Sequence, residues 1–492
     1  LNWLIIAGKT DKVAMAIKKT STINQFLIYL SGPIISAFIG FLSVPITTRL
    51  IDPSRFGQAS MYLTVTNIIT MFVFLGLDQS YARQYNEYER KDVLMNTAMF
   101  PALGISLVLG MVLMLFAKQF SVLIYGEMSW LSMGALALSF PLAVLQRYYL
   151  LFMRMAEKPL IFNITEIGSK LISIFLTLFL LIKVEASFSM VVIAQFSMDF
   201  FKTLIGFFFT RSHVPMNFRM DFSLYKPMLK FGAPLILSGV LVWILNSMDK
   251  IAIRKWSTFT DLGLYSSAFK VVAVLTIVRR AFMNTWTPMA YKMFTEKDPS
   301  EKFAKISNII FTGMVILYAI LIAGRRLVIQ ILDPQYHDAM KYLPFLMTVP
   351  VIYIAAEVTG IGVNFSKKTW YNVLICGVAA VVNLLGNALL VPVWGGVGAS
   401  LTTAVAYGVF FWMKSIIGTK LMGNHSLIRH LITFVLFFGM AFACTFINNL
   451  WMDLILLTVI LVVHIPEISS MIRYLINYLK DIKGKLSGKI SP

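Results

Sequence analysis

Charge is scarce in this chain. Asp, Glu, Lys and Arg together make 13% of 492 residues, about half of the ~25% usual in a soluble domain. Acidic residues are scarcer still, 23 against 43 Lys plus Arg. Cysteine is nearly absent: Cys376 and Cys444 both sit in apolar runs, which argues against a disulfide framework or a thiolate metal site. The five histidines are scattered without His-x-x-x-His spacing, so no zinc motif is expected. No G-x-x-x-x-G-K-[ST] run occurs, and with it goes the usual phosphate loop of an ATP-driven machine.

What is abundant is apolar. Hydrophobic residues make 58% of the chain, and the mean hydropathy is +0.77. A water-soluble chain of this composition would expose apolar patches well beyond what solubility tolerates; a bilayer suits it. Crossing the hydrocarbon takes about 20 apolar residues in a helix. Such runs recur at 26–47, 59–80, 94–116, 130–153, 160–182, 188–210, 231–253, 262–285, 305–324, 342–364, 371–393, 396–418, 429–447 and 452–472. The expected fold is thus an all-α membrane protein of about fourteen spans.

Charge placement orients it. The N-terminal segment, the even-numbered connections and the tail carry about 27 Lys and Arg, and the odd-numbered connections about 9, the asymmetry of a chain with both termini cytoplasmic. The excess also suits anionic lipid headgroups. No basic-aromatic nucleic-acid module is present. Leu1–Ala7 is too short for a signal h-region, and Met15 opens a more ordinary start, Met-Ala-Ile-Lys-Lys; residues 1–14 read as an upstream extension.

An internal repeat organises the spans. "YLSGPIISAFIGFLSVPITTRLIDPSRFGQAS" (29–60) can be laid on "KFGAPLILSGVLVWILNSMDKIAIRKWSTFTDLGLYS" (230–266), with Pro33 on Pro234. A second pairing sets Asn163 on Asn372 at a similar offset. Each unit holds an even number of spans, so the two share one orientation. The expected organisation is a cytoplasmic N-terminal segment (1–22), an N-lobe of six helices (23–210), a cytoplasmic linker (211–230), a C-lobe of six (231–420), two added helices (421–475) and a basic cytoplasmic tail (476–492).

Three segments carry a family resemblance: "FGQASMYLTVTNIITMFVFLGLDQSYARQYNE" (56–87), "FGAPLILSGVLVWILNSMDKIAIRKWSTFTDLGLYSSAFKV" (231–271) and "VPVWGGVGASLTTAVAY" (391–407). They resemble the polysaccharide transporter (Wzx-type flippase) branch of the multidrug/oligosaccharidyl-lipid/polysaccharide exporter superfamily. The resemblance covers nearly the whole chain and implies two pseudo-repeated six-helix lobes around a central cavity that opens alternately to either side. It implies a cargo of undecaprenyl-diphosphate-linked oligosaccharide, moved from the cytoplasmic to the periplasmic leaflet of the inner membrane. A polysaccharide polymerase and a chain-length regulator would be partners. No cofactor is implied, and a coupled H+ or Na+ is left open.

Ionisable residues inside spans are the candidate site residues, because burying them in hydrocarbon is costly. Buried cations would bind the diphosphate. Lys270 leads: it lies about eight residues, or about 12 Å, into its span, with no acid three or four positions away. Its surroundings are similar to the place where related lipid II flippases carry a cavity arginine. The competing reading is an ion pair with another helix. Asp249 and Lys250, after Asn246, resemble an Asp-Arg/Lys pair of the family at the periplasmic end of a helix, where charges are cheap. Arg49 takes the analogous end of the first.

Glu166 and Lys170 are spaced i,i+4 and Asp199 and Lys202 i,i+3, so each pair can neutralise itself on one helix face; either acid could instead carry a coupled ion. Glu357 lacks a partner near in sequence and is the best single carboxylate for coupling. Asp78, Arg83, Arg147, Arg154, Arg279 and Arg280 read first as residues snorkelling to headgroups, otherwise as the mouth that meets the diphosphate.

Two rivals remain. A drug or cation antiporter of the same superfamily would have fewer helices and a more acidic cavity. A membrane ligase or polymerase would carry a large periplasmic loop, and the longest such connection, around 325–341, is short. A lipid II flippase is the nearest neighbour of the preferred reading.

Overall fold

The computed structural model describes residues 31–32, 34–211, 219–293, 299–366, 368, 370–422, 428–447, 449–469 and 471–473. The expected N-terminal segment (1–22), the extension 1–14 and the tail (476–492) lie outside them, as does the side chain of Arg280.

The described chain is helical with no strand. Helix α1 covers Ile34–Thr48, followed by α2 (Pro53–Val73), α3 (Leu77–Gln84), α4 (Lys91–Leu115), α5 (Ala117–Tyr125), α6 (Trp130–Met155), α7 (Pro159–Lys183) and α8 (Phe188–Arg211). Then come α9 (Phe222–Trp256), α10 (Phe259–Ala273), α11 (Leu275–Met293), α12 (Pro299–Ile329), a 3-10 turn (Pro334–Lys341), α13 (Leu343–Thr359) and α14 (Ile361–Phe365). The last are α15 (Trp370–Met422), α16 (Ile428–Phe446) and α17 (Leu450–Val463). Seven of the described helices are long and apolar enough to cross a membrane, or up to ten if each bent pair is one span. Glycine at 395, with φ 52°, breaks α15 between the two runs expected there.

Helix α7 illustrates why a bilayer is the solvent. Thr165, Ser169, Ser173 and Thr177 face inward, while Ile164, Leu171, Phe175 and Phe179 are exposed. This is a soluble helix turned inside out. Small hydroxyl residues allow close helix approach in lipid, and here they also satisfy themselves on their own helix: Thr165 donates to the Ile161 carbonyl (2.8 Å) and Thr177 to that of Ser173 (2.7 Å).

By internal packing the chain divides into two units, Leu1–Val240 and Leu241–Pro492. In the first, α6 packs on α4 and α8, and α7 on α8, around Leu94, Ala98, Val144, Tyr148 and Phe152. The division falls inside α9, which begins at Phe222, so the second half of the expected linker 211–230 is helical. Lys226 and Lys230 suggest a loop, but Leu224, Tyr225, Met228 and Leu229 supply an apolar face that packs on this core, with Met228 fully buried. Asp221 caps the entry: Ser223 donates to it from hydroxyl (2.5 Å) and amide (2.9 Å), and its own amide donates to Thr97 (2.9 Å). Those bonds from Ser223 hold the Asp221 carboxyl below the usual carboxylate range.

In the second unit α13 packs on α12 and α15, and α16 on α17 and α13. Helix α17 is tied to α12 by a buried ion pair between Arg325 and Asp453, with Cys444 donating its thiol to the same carboxylate at 3.0 Å. Sequence order suggests a connecting-loop position for Arg325; the structure buries it at 2% exposure, which explains why an acid is retained in the otherwise apolar α17.

Candidate functional site

Each unit contains a polar cavity. In the second unit a cavity of about 320 Å³ is bounded by α9, α11, α13, α14 and α15. Its walls carry Arg279, Lys414 and Glu357 with the amides of Asn246, Asn364 and Asn372. Lys414 is clamped to Glu357 at 2.5 Å. The clamp is possible because α13 ends at a glycine: a Cβ at Gly360 would overlap the stem of Lys414. Arg279 lies over the ring of Tyr353, 4.4 Å from its centre. Among the described residues no carboxylate is within ion-pair distance of it. The pair of Glu357 and Lys414 cancels, so Arg279 gives the cavity a net positive charge.

Beside this cavity, α9 presents two turns of polar residues. Asn246 accepts from Tyr407 at 3.0 Å and lines the cavity. Asp249 points away into the packing of α9, α10 and α15. It is 1% exposed, not at a cheap helix end as its sequence position suggests. Four side chains donate to it: Tyr265 (2.6 Å), Thr403 (2.5 Å), Asn387 (2.8 Å) and Asn383 (3.2 Å). Among the described residues no cation pairs with it; Lys250 instead lies over Phe269 at 5.2 Å. The Oδ1 of Asn387 is buried without a hydrogen-bond partner. A buried carboxylate met only by neutral hydroxyl and amide N–H donors, with the unpartnered Oδ1 of Asn387 beside it, carries a charge that a proton or a hard monovalent cation would neutralise. Among the described residues no group of three His, Cys, Asp or Glu could hold a metal ion.

In the first unit a cavity of about 280 Å³ lies where α2 and α3 meet α6 and α9. Asp78 and Arg147 line it and pair there, with Arg147 donating from Nε (2.9 Å) and Nη2 (2.7 Å). These two were expected to snorkel to headgroups; they instead satisfy one another at a cavity wall. Deeper in the unit, Glu166 pairs with Lys202 across α7 and α8 at 3.0 Å. This corrects the expectation that Glu166–Lys170 and Asp199–Lys202 each close on one helix: the helices approach closely enough for the acid of one to meet the lysine of the other. Lys170 lies beside Asp199 and Lys202 in the same cluster, its stem against Gly40 of α1.

The remaining candidates divide. Lys270 is half-buried in the last turn of α10 and is not among the residues lining the cavity of its unit, whereas Arg279, one helix on, is. Arg83 is exposed with its guanidinium over Phe231 at 4.5 Å, and Arg154 lies over Phe162 at 4.6 Å. Arg49 is exposed in the turn after α1. Sequence reading missed Asn383, Asn387 and Thr403. Their signal was the spacing of two amides one helical turn apart in an apolar run.

Both units are bundles of apolar helices that enclose a polar cavity, the build of a multi-pass membrane protein, and solved structures share the fold. The lipid II flippase MurJ, in an inward closed conformation, is similar over 92% of this chain and 100% of its own length, with a TM-score of 0.63 at 14% identity. An inward-facing multidrug resistance MATE family transporter of the MOP superfamily is similar over 81% and 99%, with a TM-score of 0.56 at 13% identity. Residues 23–294, more than half of the chain, match the family described as polysaccharide biosynthesis protein, and the chain belongs to that family. Curated relatives include the Lsg locus putative protein 1 of Haemophilus influenzae, 22% identical over 279 residues (55% of this chain, 66% of that protein). Another is the probable low-salt glycan biosynthesis flippase Agl15 of Haloferax volcanii, 21% identical over 202 residues (39% and 43%). The matched region thus spans just under two thirds of the first and less than half of the second.

Proposed function

We propose that this protein is a flippase that carries polyprenyl-diphosphate-linked oligosaccharide from the cytoplasmic to the outer leaflet of a bacterial inner membrane by alternating access. The observation that carries this reading is Arg279, a cation without a carboxylate partner among the described residues, in the amide-rich cavity of the second unit. A half-buried guanidinium facing a cavity can take a phosphate through two parallel N–H bonds, and the amides suit sugar hydroxyls. The polyprenyl tail needs no such shielding, since lipid already solvates it. Cationic drugs would be repelled by the net charge of this wall, which disfavours the antiporter reading. A polymerase and a chain-length regulator on the far side fit as partners that consume the cargo.

Transport without an ATP loop needs another source of drive. We assign coupling to Asp249 in preference to Glu357. Glu357 already has its cation in Lys414, whereas Asp249 is met only by neutral donors. A Na+ or H+ taken up there would neutralise a buried charge on α9, the helix that also presents Asn246 to the cavity.

The test is reconstitution into proteoliposomes with a fluorescent undecaprenyl-diphosphate oligosaccharide. Arg279→Ala is expected to slow its translocation about tenfold or more, the loss of a charge-assisted phosphate contact, with folded protein recovered in normal yield. Translocation at the unaltered rate would remove Arg279 from the site and the reading with it.

A further inference from the structure

The cavity of the first unit has a chemistry unlike that of the second. Its charges cancel: Asp78 and Arg147 form one ion pair, and the remaining polar lining is Asn67, Thr70 and Gln79 beside the apolar Met71 and Phe74. A diphosphate gains little there, because the guanidinium already has its carboxylate. All three donors to Asp78, two from Arg147 and one from Gln79 (2.9 Å), converge on Oδ2. That leaves Oδ1 to accept a hydroxyl and the remaining N–H groups of Arg147 and Gln79 to donate. A cluster of donors and acceptors next to an apolar wall matches one sugar ring, with hydroxyls at its rim and C–H groups on its face.

The backbone supports a built site. Helices α2 and α3 meet at 61° through two left-handed residues, Leu75 (φ 50°) and Gly76 (φ 69°). A leucine in that region is strained, and such strain persists where surrounding structure over-determines it. Gly76 is held in place by Gly232 of α9: a Cβ on either would overlap the backbone of the other. The break sets Asp78 and Gln79 at the cavity wall, as interrupted helices do at transporter sites. At about 280 Å³, the space lies near the lower end of the about 300–1,000 Å³ of small-molecule pockets, room for one sugar unit rather than an oligosaccharide.

We infer that the first-unit cavity is a sugar-reading subsite, in which the Asp78–Arg147 pair, Gln79 and Asn67 recognise the hydroxyls of one neutral sugar residue of the cargo. This rests on the flippase reading above and adds where glycan specificity resides. The experiment measures binding of two probes to the full chain in lipid nanodiscs: undecaprenyl diphosphate, and the same lipid carrying one N-acetylhexosamine. The wild type is expected to favour the glycosylated probe. The Asn67→Ala, Gln79→Ala double variant, which leaves the ion pair in place, and Arg147→Lys, which keeps the charge but loses the fork, should each bring the two affinities within about threefold while leaving the bare lipid unchanged. Equal loss for both probes, or retained preference in both variants, overturns the subsite while the flippase stands. Failure of the folded wild type to bind either probe overturns both.

Discussion

The second-unit cavity is governed by which buried charges have partners. Glu357 and Lys414 stand 2.5 Å apart at 9% and 4% side-chain exposure. Removing one member of such a pair leaves the other stranded, at about 3–5 kcal/mol. Lys414→Ala should therefore lower the unfolding temperature sharply, whereas the double variant Lys414→Met, Glu357→Gln should recover most of the loss, measured by thermal unfolding in detergent. Additive losses in the double variant would contradict the pairing. Asp249 makes the contrasting case. Asp249→Asn keeps the shape and removes the charge, so the wild type should gain thermal stability when K+ is replaced by Na+, through mass action on the folded state, and the variant should not. No ion-specific shift in the wild type, together with transport that is independent of both Na+ and pH, would dismiss Asp249 as the coupling group.

At the scale of elements, the breaks matter more than the helices. Residue Asp261, in the first turn of α10, receives the Gly396 amide (2.5 Å), the Ser257 hydroxyl (2.8 Å) and the Tyr342 hydroxyl, fastening the interruption of α15 at Gly395. A side chain at 395 would require a left-handed φ and would meet Asp261. Gly395→Ala should thus destabilise the second unit by about 1–2 kcal/mol or more, visible as a lower unfolding temperature; an unchanged value would mean the break is not held there. Most helices were legible from apolar run length, including the division of the 371–418 stretch at its glycines, but the runs 59–80, 262–285 and 342–364, read as single spans, are each broken into two helices. The sites were legible only in part. Run length reveals that Asp249 or Glu357 is inside a span but not which distant residue meets it, since Thr403 and Lys414 are 154 and 57 positions away. Residues near span ends, such as Asp78 and Arg147, look like headgroup ligands until the bend at Gly76 turns Asp78 toward a cavity wall that Arg147 reaches from α6. Lys270 has the depth of a site residue, but a helix face cannot be read from depth.

At the scale of the molecule, the testable quantity is which loops face the cytoplasm. Basic residues outnumber acidic ones by 43 to 23, and Lys and Arg are retained on the cytoplasmic side during insertion. Arg154 in the last turn of α6 and Lys158 flank the α6–α7 turn, while Lys183 ends α7 beside Glu185. Both Glu157 and Glu185 are exposed, so a thiol at either reports its side of the membrane. In a chain with Cys376→Ser and Cys444→Ser, the hydroxyl replacing the thiol that donates to Asp453, Glu185→Cys should react with a membrane-impermeant maleimide in intact spheroplasts. Glu157→Cys should react only after permeabilisation. The reverse pattern would put the basic turns outside and invert every cytoplasmic assignment.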